Sequence, residues 1–334
     1  MNNSTFPTTR LRRLRYNPVI RDLIRETELS INDLVSTIFV KHGNNEKLAI
    51  SSMPGFYQYT IDRIEEEINE LISLGIKAVL IFGIPKTKDL LGSDSYNDNG
   101  IVQQAIRKIK TIAPGLLVIS DLCFCQYTES GHCGVIHEHN GKTIIDNDKS
   151  LALLAKQAVS HAKAGADILA PSGMLDGMVK SIRFALDEAD FYKIPILSYA
   201  VKYRSSMYGP FGEATQGAAK TGDRSSYQMD LANGNESLRE AMLDIEEGAD
   251  MLMVKPAHTY LDIIYRLKQA YPYIPLAAYH PSGEYMMLKA AIEKGAIDEK
   301  RSVLEVVTSI KRSGADIIIT YFAKDIAKWL KGIN

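Results

Sequence analysis

Three copies of one short pattern constrain the fold of this chain most. Gly165-Ala166-Asp167, Gly248-Ala249-Asp250 and Gly314-Ala315-Asp316 each run directly into an apolar segment, ILAPS, MLMVKPA and IIITYF, and Gly75-Ile76-Lys77 before AVLIFGI is a looser copy. A recurring unit of this kind can decide an architecture before any catalytic motif does. Upstream of each copy the apolar residues recur at helical spacing: Ile61, Ile64, Ile68, Leu71 and Ile72; Leu151, Leu154, Ala155, Ala158 and Ala162; Leu238, Ala241, Met242 and Ile245; Val303, Val306, Val307 and Ile310. One apolar stripe per helix follows. The glycine then closes the helix in a left-handed conformation, and the chain turns straight into a buried strand.

Eight such strands can be counted: 37–40, 78–84, 116–122, 166–170, 194–200, 249–254, 274–279 and 315–321. Their apolar residues are continuous and not alternating, as burial on both faces of a parallel sheet requires. The pattern predicts an α/β fold, a single (β/α)8 TIM barrel over residues 31–334. A doubly wound open sheet is the alternative, although no G-x-G-x-x-G follows an early strand to support its nucleotide-binding form. A ninth run at 48–53 reads as a small hairpin outside the barrel, and residues 1–30, with Arg10, Arg12, Arg13 and Arg15 but no core stripe, as an extended N-terminal arm. With 39 basic against 40 acidic residues and 46% hydrophobic residues in 334, the chain can bury a large core and has no positive footprint for nucleic acid. No apolar window reaches the length of a membrane span, and the N-terminal stretch lacks a signal-peptide core. These features predict a cytoplasmic protein with neither nucleic-acid nor membrane partners.

In a barrel the residues at the carboxyl ends of the strands form the active face. Here they are Asp121, Cys123 and Cys125 after the third strand, Ser172 after the fourth, Lys202, Lys255, His280 with Ser282, and Tyr321. All three cysteines, Cys123, Cys125 and Cys133, fall in the segment DLCFCQYTESGHC. In a reducing compartment, where disulfides are rare, the clustering points to metal, and three thiolates would leave one tetrahedral position of Zn²⁺ open for catalysis. The alternative is three small buried apolar side chains. Gly131 and Gly134 free the loop to bring Cys133 back, and His132 reads as a neighbour of the site more than as a ligand. Lys202 and Lys255 each end an apolar strand, where burial and mutual repulsion would lower their pKa values and make neutral, imine-forming amines. A solvated strand end is the alternative for either one alone. The long Gly- and Ala-rich stretch from Gly209 to Gln228 reads as a lid, on which Arg204, Lys220, Arg224 and Gln228 either clamp a substrate carboxylate or remain solvated.

With DLCFCQYTESGHCG, SYAVKYRSSMYGPF, GDRSSYQM, MLMVKPA and SGEY on the page, the chain resembles the porphobilinogen synthase (5-aminolevulinate dehydratase) family over nearly its whole length. The resemblance implies a lyase of tetrapyrrole and heme biosynthesis that condenses two 5-aminolevulinate molecules per site into porphobilinogen with loss of two waters. It implies a homo-oligomer as well, commonly an octamer built through the arms. Carried over, Lys255 would form the Schiff base with the P-site substrate and Lys202 with the A-site substrate. Cys123, Cys125 and Cys133 match the zinc-dependent branch, Ser282 and Tyr321 the P-site carboxylate groups, Arg224 and Gln228 the A site, Asp121 and Ser172 the P-site wall, and Glu240 an allosteric Mg²⁺ position.

Three positions depart from the family pattern. Gly212 stands where GPFR has its arginine, and PSGMLDGM places Gly173 and Met178 where the family has Asp and Arg. Arg204 or Lys220 would be the replacement cation. The rival readings are a single-lysine class I aldolase, which needs neither the second lysine nor the cysteines, and a degenerate, non-catalytic oligomer that binds metal or ligand.

Overall fold

The structure, a computed structural model, describes residues 5–139, 142–220 and 222–333. Its strands are β1 (Leu34–Lys41), β2 (Lys47–Ala49), β3 (Tyr57–Thr60), β4 (Ala78–Ile84), β5 (Leu117–Leu122), β6 (Ile136–His139), β7 (Lys142–Ile145), β8 (Ile168–Pro171), β9 (Leu197–Lys202), β10 (Met251–Lys255), β11 (Leu276–His280) and β12 (Ile317–Thr320). Eight of them pair in parallel in the order β8-β5-β4-β1-β12-β11-β10-β9. A single bridge from Leu169 to Ile196 joins the two ends of that path. The result is a (β/α)8 barrel, with β1 beside β12 at Leu34–Ile318 and Val35–Ile319.

Around it run α1 (Pro18–Leu23), α2 (Ile64–Ser73), α3 (Ile101–Ile112), α4 (Asn147–Ala164), α5 (Met178–Glu188), α6 (Gly209–Ala214), α7 (Glu236–Glu246), α8 (Leu261–Ala270), α9 (Ser282–Glu293), α10 (Glu299–Arg312) and α11 (Ala323–Leu330). The stripes read from the sequence are largely the buried faces, with Ile64, Ile68 and Leu71 on α2 and Val303, Val306, Val307 and Ile310 on α10, whereas Ile72 and Met242 at the stripe edges are exposed. Each fully buried aliphatic side chain contributes roughly 1.5–3 kcal/mol relative to exposure. The stripes therefore hold the helices on the barrel.

The Gly-Ala-Asp repeat has a physical role at the amino ends of the strands. Gly75, Gly165, Gly248 and Gly314 have φ of 81°, 101°, 106° and 114°. Each following aspartate closes a two-bond ring with the neighbouring strand. The Asp167 carboxylate accepts from Val118 N–H (2.7 Å) while its own N–H donates to Val118 O (3.0 Å). Asp250 does the same with Ile196 (2.7 and 3.0 Å), and Asp316 with Leu276 (2.8 and 2.7 Å). These clamps explain why the fourth, sixth and eighth strands begin two residues later than the apolar pattern suggests. Ala and Asp belong to the clamp, and the ladder starts after it.

Two hairpins depart from the sequence reading. The run at 48–53 supplies only β2 and a turn; β3 then adds in parallel to β1 at Phe39–Lys41, so the hairpin is stitched to the barrel instead of standing outside it. A second hairpin, β6–β7, follows the cysteine loop and was not foreseen. Ahead of β1, neither α1 nor the short turn at Leu11–Leu14 buries any residue. No helix among the described residues is long and apolar enough to cross a membrane.

Candidate active site

The two lysines face each other because their strands do. Lys202 ends β9 and Lys255 ends β10, and the two are register partners across the ladder. Both are buried, at 5% and 4% exposure. The Lys202 ammonium donates to the Ser172 carbonyl at 2.5 Å. That of Lys255 stands 3.9 Å from the centre of the Tyr279 ring, with Phe211, Tyr208 and Tyr199 at 5.0, 5.1 and 5.5 Å. Burial in this aromatic box, reinforced by the like charge of Lys202, pushes Lys255 down to about 7. Near neutrality it is the better nucleophile of an ordinary lysine many times over, because the free amine and not the ammonium attacks a carbonyl.

Asp121, on the same level at the end of β5, is pushed up by burial, against the opposing pull of Lys202, Ser172 and Lys255. Ser172 follows β8 and lines the same space. Tyr321 follows β12, and its hydroxyl meets that of Tyr279 at 2.9 Å.

The three cysteines are free thiols, buried beside this floor. Their sulfur atoms all lie within 4.8 Å of one another, the one such group of three or more His, Cys, Asp or Glu donors among the described residues. Gly131 makes the loop possible: at φ 73° it lies against the lid, where a Cβ would be 2.1 Å from Ala218 O. Cys133 is held well below the usual thiol range by hydrogen bonds from Cys123 and Cys125, and Cys123 is pushed well above it by its bonds to Cys125 and Cys133. Three soft donors at this spacing suit a thiophilic cation. Burial works against the charge of Arg224, but Cys133 and Cys125 outweigh it and hold the guanidinium fully charged. Its Nη2 donates to Gly131 O (3.1 Å) and Gly217 O (2.8 Å), pinning lid to cysteine loop. His132 is buried, with Nδ1 3.1 Å from the Tyr227 hydroxyl.

The lid is closed. Phe211 on α6 packs edge-on against Phe82 at 4.9 Å, and its N–H donates to Ser282 Oγ at 3.0 Å. Lys88, from the loop after β4, donates to the carbonyl of Gln216 on the lid. The space left between Asp121, Cys125, Lys202, Arg224, Lys255 and Phe211 is about 20 Å³, room for one water. Substrate entry therefore requires the lid to move. Larger concavities of about 830 and 540 Å³ lie elsewhere and contain neither lysine nor any thiol. Here the chemistry, not the size, marks the site.

Several residues read from the sequence fall outside this space. Arg204 does not reach it: its guanidinium pairs with Asp223 at 3.1 Å, 42% exposed, and lines the 830 Å³ concavity. Extended backbone runs on through Tyr203, which bridges to Met229, but the Arg204 side chain leaves for Asp223 and not for the lysines. Lys220 is exposed, held through its backbone N–H to Ser130 O. Neither is a cation inside the pocket. Gln228 is buried, lines the 540 Å³ concavity and has an unpartnered Nε2. Glu240 lines the same concavity, its carboxyl pushed up by burial and by Glu236 and Asp176. Tyr199, Tyr208, Tyr279, Phe211 and Lys88 were missed. The tyrosines of β9 and β11 sit within apolar runs and read as core.

The Delta-aminolevulinic acid dehydratase family model matches residues 8–329. The chain belongs to the delta-aminolevulinic acid dehydratase family. It is 55% identical over 96% of its length to the protein of that name from Halalkalibacterium halodurans (96% of that protein). With the Bacillus subtilis protein the identity is 52% over 96% of this chain and 98% of the relative. Among solved structures, the enzyme of Toxoplasma gondii in complex with its reaction product porphobilinogen superposes with a TM-score of 0.92 at 42% identity, covering 96% of this chain and 91% of the other. Family membership excludes the single-lysine aldolase.

Proposed function

We propose that this member of the dehydratase family condenses two 5-aminolevulinate molecules to porphobilinogen, with loss of two waters, using Lys255 and Lys202 as imine-forming amines. The observation that carries this reading is the register pairing of two buried lysines beside a three-thiol cluster under a lid. Lys255, whose neutral form is well populated near pH 7, attacks the ketone of one substrate, and water leaves as the imine forms. Lys202 does the same for the other. Each imine withdraws electrons from the adjoining carbons, so the carbon–carbon and carbon–nitrogen bonds of the pyrrole can form, and both amines are released with the product. Asp121, pushed up by burial, holds or releases a proton between the lysines. Ser282 and Tyr321, at the ends of their strands, and Arg224 beside the cysteines are the groups for the two substrate carboxylates.

Cys123, Cys125 and Cys133 would hold Zn²⁺, which supplies Lewis acidity at the second substrate. Glu240, with Glu236 and Asp176 repelling it, is the position for an allosteric Mg²⁺. It belongs to no preformed cage, as suits a cation that keeps most of its waters. The reduced thiols fit a cytoplasmic enzyme. Exposed apolar side chains on the arm, with Leu23 82%, Phe6 72% and Val19 70% accessible, would dock on neighbouring copies, as in an octamer.

The test is borohydride trapping in the presence of 5-aminolevulinate and zinc, followed by peptide mass mapping, with porphobilinogen assayed in parallel. A reduced adduct on Lys255 together with product supports the reading. Product without an adduct on either lysine sinks the imine mechanism, and adducts without product support the degenerate, non-catalytic alternative.

A further inference from the structure

The segment Ser282–Tyr285 opens α9, and four consecutive residues reach four different parts of the site. Ser282 Oγ accepts from the lid at Phe211 N–H (3.0 Å). Gly283 lies so close to the chain before the lid that a Cβ would be 2.5 Å from Met207 Cα. The Tyr285 hydroxyl donates to Pro54 O (2.7 Å), and its ring lies 5.8 Å from that of Tyr321.

Glu284, between them, is completely buried. Its carboxyl accepts from one short turn: Thr259 N–H at 3.1 Å, Thr259 Oγ1 at 3.3 Å and Ala257 N–H at 3.4 Å, with the His258 N–H beside them. That turn is the chain leaving Lys255. No salt bridge to Glu284 is formed among the described residues, and burial pushes the carboxyl up to about 7. A buried acid of this kind without a cation adds little to stability compared with an apolar side chain of the same volume. What its two oxygens do is fix the backbone immediately after the lysine.

We propose that Glu284 is a positioning residue for Lys255: by gathering the donors of residues 257–259 it fixes the end of β10 from which the Lys255 amine reaches the substrate ketone. The inference rests on the imine reading of Lys255. Glu284 does not itself line the space between the lysines. Misplacing a reacting group by about 1 Å can cost on the order of a hundredfold in rate, so the anchor of a strand end can matter as much as a contact.

The experiment compares the full-length, zinc-supplied protein with Glu284→Ala and Glu284→Gln. Rapid-quench borohydride trapping with 5-aminolevulinate gives the labelling rate at Lys255 and Lys202 separately, beside steady-state kcat and KM. Glu284→Ala should slow labelling of Lys255 by about 10- to 100-fold and lower kcat in parallel, with KM and the Lys202 rate within about three-fold of the unaltered protein. Glu284→Gln, whose amide oxygen can still accept from Thr259 N–H, should recover Lys255 labelling to within about five-fold. Should Glu284→Ala fail to fold, Thr259→Val removes one donor and keeps the backbone. It should slow Lys255 alone, by about two- to five-fold.

Labelling of Lys255 at the unaltered rate in the folded variants overturns the proposal. So does equal slowing of both lysines, or a Gln variant no better than Ala. An unaltered protein that labels nowhere at Lys255 defeats the imine reading, and the role of Glu284 with it. Normal labelling of the unaltered protein with unresponsive variants defeats Glu284 alone.

Discussion

Lys255 shows how far one side chain's environment can be turned into a measurable pH dependence. Its ammonium is lowered to about 7 from 10.5 by burial and by Lys202. The neutral amine is the reactive form, so the rate of imine formation should rise with pH, roughly tenfold per unit below 7, and level off above it. Single-turnover trapping across pH 5.5–8.5, as an assay range of about three units, checks this. The stability sign is the same. Between about 7 and 10.5 the unfolded chain binds the proton that the folded chain has lost, so this group adds stability as pH rises through that window and removes it as pH falls back toward 7.

Position 212 gives a second residue-level outcome. A Cβ built there meets Ala218 Cβ at 3.5 Å, an ordinary contact, so Gly212→Arg can be accommodated. Since Arg204 pairs with Asp223 outside the pocket, Arg204→Ala should leave KM for 5-aminolevulinate within about two-fold, whereas Gly212→Arg should lower it by about ten-fold through an added charge-assisted bond. Steady-state kinetics on the two variants decide the matter. The departure at 212 was legible in the sequence. The absence of a substitute at 204 was not, because the partner this arginine takes, Asp223 on the lid, is a tertiary contact that apolar pattern does not fix.

Among the elements, the clamps at the strand beginnings make a test that separates folding from chemistry. Asp250→Ala leaves the buried Ile196 N–H without its acceptor, which should cost about 1–3 kcal/mol in denaturant unfolding while kcat stays unchanged. The clamp lies at the amino ends of the strands, away from the catalytic face. Asp250→Asn keeps an acceptor oxygen and should recover most of the loss. The repeat was readable as a helix end followed by a strand, because glycine's left-handed φ and the apolar run are local properties. The aspartate's bond to a neighbouring strand is not local, and so the strand starts were placed early. The hairpin β6–β7 was illegible for a similar reason. Four-residue strands carry too little pattern, and Ile145 is only partly buried, against the cysteines and the main core alike.

At the scale of the whole molecule, the cysteine loop and the arm are both separate from the main core. The cysteines form a separate buried cluster from the large apolar one that fills the barrel and its helix layer. Chelation of a bound metal should therefore abolish porphobilinogen formation reversibly while far-UV circular dichroism and the melting temperature stay close to those of the loaded protein. A fall in helical signal on chelation would instead mark the metal as structural. Removing residues 1–27, which precede the core-packed Leu29 and Ile31, should leave the barrel folded but reduce the mass seen by light scattering, since the exposed apolar side chains of the arm would lose their docking site on neighbours.

The sequence by itself determined the eight-strand barrel, the helix stripes, the glycine turns, and the residue types at the carboxyl ends of the strands, because these follow from periodicity and from single-residue conformational preference. It also carried the family, through motifs that are contiguous in the chain. Only the tertiary structure decided which of those residues share one space. It set Lys202 beside Lys255 through ladder register, surrounded the latter with Tyr199, Tyr279 and the lid's Phe211, and sent Arg204 outward to Asp223. It also brought Glu284 onto the turn after Lys255. These juxtapositions join residues far apart in sequence, and their electrostatic consequences arise from burial, which is a property of the packed molecule and not of any segment of the chain.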